Sequence, residues 1–355
     1  MSQATGSHLR SGPGRTRPVT GVLIAATVAA ALLLWAKWLP YAGKVPGLAT
    51  GHTWSGSSIL GTGGVQPGDA PSWSAATSFT RAYSQAVWRA LLAALLISAA
   101  LQTLVPRAWL LRVLNRPGRL RAAVAGGVAS TPSMMCACCT APVVVGLRRS
   151  GVSTSAVVAY WLGNPLLNPA VLIFLGLVAP WQWTLTRIVV GVLVVVAGSA
   201  LVARLAEART APAGPEAETP DPPVTFGRYL RVLVRMAVVL IPEYLVVIML
   251  VGAFRGWLFP LDAAGSGLLV VLVAAIVGTA MVIPTAGEIP IAQGLALAGL
   301  SLGAVGALLI TLPAVSLPGA AMVWRAFGWK VTLATAAVVV IGGLTGAAVL
   351  ELLPA

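Results

Sequence analysis

Charge is what this 355-residue chain has least of: 9% of its residues are Asp, Glu, Lys or Arg, against about a quarter in soluble domains. Acidic residues number only nine and histidines two, His8 and His52, so little is available for a histidine-based catalytic or metal centre. The three cysteines, Cys136, Cys138 and Cys139, fall within four positions, which excludes the spaced disulfide framework of a small secreted domain. No phosphate-binding glycine loop and no alternating strand pattern occurs, so a nucleotide-driven domain and a β-barrel are both unsupported. Hydrophobic residues, by contrast, make up 58% of the chain and the mean hydropathy is +0.90. The chain reads as a membrane protein that is neither an enzyme nor the host of a metal or cofactor, with the lipid bilayer as its solvent. Its formal charge of +14 is then a question of which loops carry the positives, not a nucleic-acid footprint.

A crossing needs about 20 apolar residues. Stretches of that kind run from Val19 to Leu39, Ser84 to Val105, Val152 to Val178, Thr184 to Leu205, Val232 to Phe254, Leu302 to Val323 and Val331 to Leu352. Two more, Ala122 to Gly146 and Leu268 to Leu300, are interrupted by STPSMMCACCTAP and IPTAGEIP, whose prolines and small polar residues break a helix. The organisation expected is a basic cytoplasmic tail (1–18), a leading uncleaved transmembrane helix (19–39), an extracytoplasmic loop (40–83), a first repeat (84–205), a cytoplasmic linker (206–227) and a second repeat (228–355). The Gly/Ser/Thr-rich loop and the Pro/Ala/Glu linker are both expected to be mobile. Trp109, Trp181, Trp183, Trp257, Trp324 and Trp329 fall near span ends, where aromatic residues anchor helices at the interface.

The repeats emerge when the sequence is slid against itself by 148 positions. Pro142–Pro165 then lies on Pro290–Pro313 without a gap, with nine of 24 positions identical, among them Pro142/Pro290, Gly146/Gly294, Gly151/Gly299, Ser153/Ser301 and Pro165/Pro313. Basic residues settle between parallel and inverted readings, because Lys and Arg concentrate in cytoplasmic loops. If each interrupted segment turns back to its own side, 17 of the 23 basic residues share one face, leaving Lys37, Lys44, Arg81, Arg89, Arg187 and Arg255 outside or within spans. If the segments cross, that bias collapses. The expected fold is therefore an all-α, polytopic membrane protein with two inverted repeats, each carrying a broken or re-entrant helical hairpin, behind one leading helix. Its N-terminus would be cytoplasmic, in a bacterial inner or plasma membrane.

The stretch CACCTAPVVVGLRRSGVSTSAVVAYWLGNPLLNPAVL, with PTAGEIP and LPAVSLPG in the second half, resembles the bacterial predicted-permease family that includes the organoarsenical efflux permeases. The resemblance covers most of Ser84 to Leu352 and is carried by Cys136, Cys138, Pro142, Gly146, Gly151 and Pro165; Cys139 is an addition to the family pattern. It implies export of a small thiophilic or metalloid-containing solute, such as a trivalent organoarsenical, by a secondary transporter with alternating access.

Breaks in membrane helices are tolerated where they line a cavity, so two related breaks point to one shared site. Pro142 and Pro290 are expected at early helix positions, where a missing N–H costs nothing; Pro165, Pro284 and Pro313 mark the other interruptions. Soft sulfur at Cys136, Cys138 and Cys139 suits thiophilic ions and metalloids, while small buried cysteines also simply pack between helices. Thr140, Asn164, Asn168 and Ser316 could add polar contacts to a substrate, or only help helices pack. Glu288, aligned with Thr140, and Glu243, after Pro242, are intramembrane carboxylates and so candidates for proton coupling, with Arg89 and Arg187 as available counter-charges. The partners expected are a small-molecule substrate and protons, with a homo-oligomer left open and no nucleic acid. Two rival readings are a membrane thiol oxidoreductase, which lacks a resolving cysteine elsewhere, and a non-transporting assembly subunit, which would need no paired breaks.

Overall fold

A computed structural model describes residues 18–54, 59–207, 224–258 and 267–353. The basic tail and most of the expected linker lie outside the described residues. No strand occurs among them, and six helices are long and apolar enough to cross a membrane, seven if one bent pair is counted as a span. This is a multi-pass, all-α membrane protein.

The leading helix α1 (Pro18–Leu33) continues through a π-helical turn, Leu34–Trp38, into Leu39–Ala42. Helix α2 (Trp73–Leu104) follows. The first interrupted segment is α3 (Arg119–Ser130), a 3-10 turn at Thr131–Ser133, and α4 (Ala137–Arg149). Then come α5 (Thr154–Leu166), α6 (Pro169–Val178) and α7 (Trp181–Leu193), the last extended by a π turn and Ser199–Glu207. The second half comprises α8 (Phe226–Leu258), α9 (Leu268–Ala280), α10 (Glu288–Leu297), α11 (Leu302–Ala314), α12 (Leu317–Phe327) and α13 (Trp329–Leu352).

The 148-residue offset reappears in these boundaries. Helices α5 and α11 begin at Thr154 and Leu302, α6 and α12 at Pro169 and Leu317, α7 and α13 at Trp181 and Trp329. Ser153 and Ser301 cap α5 and α11 alike, each hydroxyl accepting a backbone N–H three residues on. Gly151 and Gly299 both have positive φ, +86° and +93°, in the turn before those caps, where a Cβ would be strained. Identical local chemistry at equal spacing thus produces the same turn twice. Close approach is bought by small residues: a Cβ on Gly126 would sit 2.0 Å from the Ala156 carbonyl oxygen, which brings α3 and α5 backbone to backbone.

Three expectations change. Helix α2 starts at Trp73 rather than Ser84, because Ser72 supplies an N-cap that accepts the Ala75 N–H. The described part of the loop ahead of it is fastened rather than loose: buried Arg255 donates to the carbonyls of Leu60, Thr62, Ala75 and Gly252 and lies over the Phe79 ring. Of the six tryptophans, Trp183 is buried in a core cluster with Phe174 and Leu175, while the other five are exposed.

Candidate functional site at the two helix breaks

Helix α4 begins at Ala137, so Cys136 is its N-cap and Cys138 and Cys139 lie in its first turn. Pro142 therefore stands inside the helix, not at its start, which corrects the early-position expectation; Pro290, third residue of α10, keeps it. The physical consequence is that Pro142 cannot donate to the carbonyl of Cys138, which loses its helical partner. Pro165 and Pro313 are likewise near the ends of α5 and α11, and Pro284 stands in the second break, its carbonyl accepting the Gly287 N–H.

All three thiols are buried, and their sulfurs lie within 4.8 Å of one another; Cys136 and Cys138 are 3.2 Å apart. Three thiolates sharing one soft centre at about 2.3 Å each would stand about 4 Å apart, so the cluster has the dimensions of a three-sulfur site. Tyr83, from α2, joins it to the second break: its hydroxyl donates to the Ile283 carbonyl at 3.0 Å and lies 3.2 Å from the Cys138 sulfur. Tyr244, from α8, reaches the same sulfur at 3.8 Å. Lys37, from the leading segment, hydrogen-bonds Thr285 of the second break at 3.0 Å. Met134 and Ala286, one in each break, hold left-handed backbone (φ +48° and +69°), a conformation that non-glycine residues keep only where surrounding packing imposes it.

On the other side of the breaks, Glu288 opens α10 and forms an ion pair with Arg187 of α7 at 2.7 Å, with side-chain exposures of 2% and 0%. Arg187 also donates to the carbonyls of Pro165 and Leu166 at 2.8 and 3.2 Å, the second-to-last and last residues of α5. Removing either partner would strand a charge in the interior. Arg187 Nη1 and Asn168 Nδ2 are buried donors that find no acceptor among the described residues.

The remaining candidates divide between site and scaffold. Thr140 spends its hydroxyl on the Cys136 carbonyl, 2.9 Å away. Asn164 ties α5 to the first break, its Oδ1 2.5 Å from the Ser133 hydroxyl and its Nδ2 donating to Tyr160. Asn168 and Ser316, at matched positions, are the N-caps of α6 and α12. Ser316 caps α12 where it meets α4 start to start: a Cβ on Gly319 in the same turn would stand 3.3 Å from the Ala137 carbonyl oxygen. Glu243 is not brought to the cysteines: it accepts from Trp324 at 3.3 Å and lies 3.8 Å from Arg325, in the last turn of α12, about 12 Å of helix from its capped start. Arg89 pairs with no carboxylate among the described residues and rests on Trp35 and Trp88.

Tyr83, Tyr244 and Lys37 were not singled out by sequence reasoning. A tyrosine or lysine in an apolar run carries no spacing signal, and only the packing of α2, α8 and the leading segment around the breaks gives these residues their role.

The 40% identity of this chain to UPF0718 protein YraQ of Escherichia coli strain K12 extends over 316 residues, 88% of this chain and 89% of that protein. No solved structure matches. The family described as predicted permease matches residues 72–351, from the first turn of α2 to the last of α13. Both matches take in the two breaks and the thiol cluster, and the chain belongs to the predicted-permease family.

Proposed function

We propose that this permease is a secondary transporter that exports a small thiophilic or metalloid-bearing solute, of which a trivalent organoarsenical is the type, by alternating access around the two breaks. The observation that carries this reading is the group of three buried sulfurs within 4.8 Å at a helix start; neutral packing would not require three thiols to face one another, whereas a soft electrophile takes two or three. The orphan donors on Arg187 and Asn168 suit the polar end of such a solute.

The topology proposed with it is inverted. Helices α3, α4, α9 and α10 have 12, 13, 13 and 10 residues, each shorter than the roughly 20 needed to cross, and in this reading each pair enters and returns, as the placement of the basic residues favours. Three crossings then remain per repeat, and an odd number reverses the second relative to the first. The N-terminus would lie in the cytoplasm. Glu288 is the proposed proton carrier: protonation would cancel its charge and leave Arg187 unpaired, so proton binding would favour a rearrangement between α7 of one repeat and α10 of the other.

The test is transport. In a bacterial strain stripped of its own efflux systems, everted vesicles holding the protein should accumulate methylated arsenite and not a non-thiophilic control. Replacing all three cysteines by Ser should abolish that uptake while the protein still inserts and elutes as a single species. Undiminished uptake by the triple variant would sink the sulfur-ligand reading. Mapping Arg148 to the periplasm would overturn the inverted topology.

A further inference from the structure

A cavity of about 420 Å³ lies between the leading segment and the second break. Its wall carries three cations, Lys37, Lys44 and Arg89, and no carboxylate among the described residues. Each cation is held by aromatic faces: Lys37 lies 5.3 Å from the Tyr41 ring centre, Lys44 5.5 Å from Trp54, and Arg89 5.4 Å from Trp88 and 5.8 Å from Trp35. A ring face positions a cation without cancelling its charge. Lys37 is 6% exposed, and the Tyr41 hydroxyl and Thr285 Oγ1, both at 3.0 Å, occupy two of its three ammonium hydrogens. A buried ammonium with no carboxylate partner and a spare donor is costly unless an anion completes it. Three like charges around one cavity raise that cost and focus a positive potential there.

We propose that this cavity is a binding site for a small oxyanion, held by Lys37, Lys44 and Arg89 and backed by the Thr285 turn of the second break. Lys37 and Lys44 precede residue 72, where the family match begins, so the leading segment supplies a selectivity element to the core permease. The Lys37 ammonium faces the cavity and hydrogen-bonds Thr285 of the second break, which ties this vestibule to that break. The site stands on its own cations and does not require the thiol reading to hold, and its readout is binding rather than transport.

The shared chemistry, a phosphate-like oxyanion, could arrive free or as a lipid headgroup. Calorimetric titration of the purified full chain in neutral detergent with inorganic phosphate, at constant ionic strength set by chloride, should give one saturable site. Lys37→Met and Arg89→Gln should each weaken it more than tenfold, Lys37→Arg should retain most of it, and Arg112→Gln, remote from the cavity wall, should leave it unchanged. Arg89 is exposed, so its variant keeps the test sound even if Lys37→Met fails to fold. Repeating the titration after adding phosphatidylglycerol, against phosphatidylcholine, separates the sources: phosphate binding that persists assigns a free solute, and displacement by the anionic lipid assigns a headgroup. No saturable binding of phosphate or anionic lipid, or binding indifferent to both Lys37→Met and Arg89→Gln, overturns the proposal.

Discussion

At the first break, Cys136, Cys138 and Cys139 present three thiols and no charge; 148 residues on, the matching positions are Pro284, Ala286 and Gly287, with no sulfur at all. The carboxylate runs the other way, Glu288 standing where the first repeat has Thr140, and Arg187 standing where the second has buried Thr335. The turns, caps and glycines of the two halves stay matched while the chemistry diverges. The lesson is that the repeat preserves what backbone geometry demands, whereas the side chains at the two breaks are free to differ. One buried ion pair and one thiol cluster result, and Tyr83 joins the cluster to the second break by touching Cys138 and the Ile283 carbonyl together.

That asymmetry can be attacked at its strongest point first. Arg187→Met should leave Glu288 buried without its counter-charge and cost about 3–5 kcal/mol, seen as a large drop in the melting temperature in detergent. The double variant Arg187→Met/Glu288→Leu should recover much of the loss, and a single variant as stable as the parent would show that the pair is solvated and not a link between halves. Tyr83→Phe should come next, at about 1–3 kcal/mol, because it leaves the Ile283 carbonyl without its donor; an unchanged melting temperature would mean that the two breaks are not joined through this hydroxyl. The mildest change sharpens the matched side of the comparison. Asn168→Ala and Ser316→Ala should each cost about 0.5–2 kcal/mol through loss of an N-cap, and by similar amounts, since both cap the helix after the same interruption. A transport defect in Asn168→Ala beyond that of Ser316→Ala would assign the extra effect to the unpartnered Nδ2 of Asn168.

Much of the architecture was legible because it depends on local rules. Apolar length marked the crossings, Gly151/Gly299 and Ser153/Ser301 marked the turns, and the cysteine triplet and Glu288 announced themselves as polar exceptions in apolar surroundings. The start of α4 was not legible in this way, because Pro142 is a strong helix-start signal whereas the helix begins five residues earlier, at Ala137. Glu243 and Glu288 look equivalent as letters, yet one, on α8, is held against the last turn of α12 and the other is buried against Arg187 of α7.

The sequence by itself determined that this chain lives in a membrane, that it is built twice, and that soft sulfur and one carboxylate fall at corresponding interruptions, because hydropathy, spacing and turn chemistry act over a few residues. Only the tertiary structure decided that Arg187 meets Glu288 across 101 positions, that Tyr83 reaches both the thiols and the second break and Lys37 the second break, and that the cations of the leading segment line a cavity. Those contacts are made between helices distant in the chain, and their partners are chosen by packing, which no local pattern encodes.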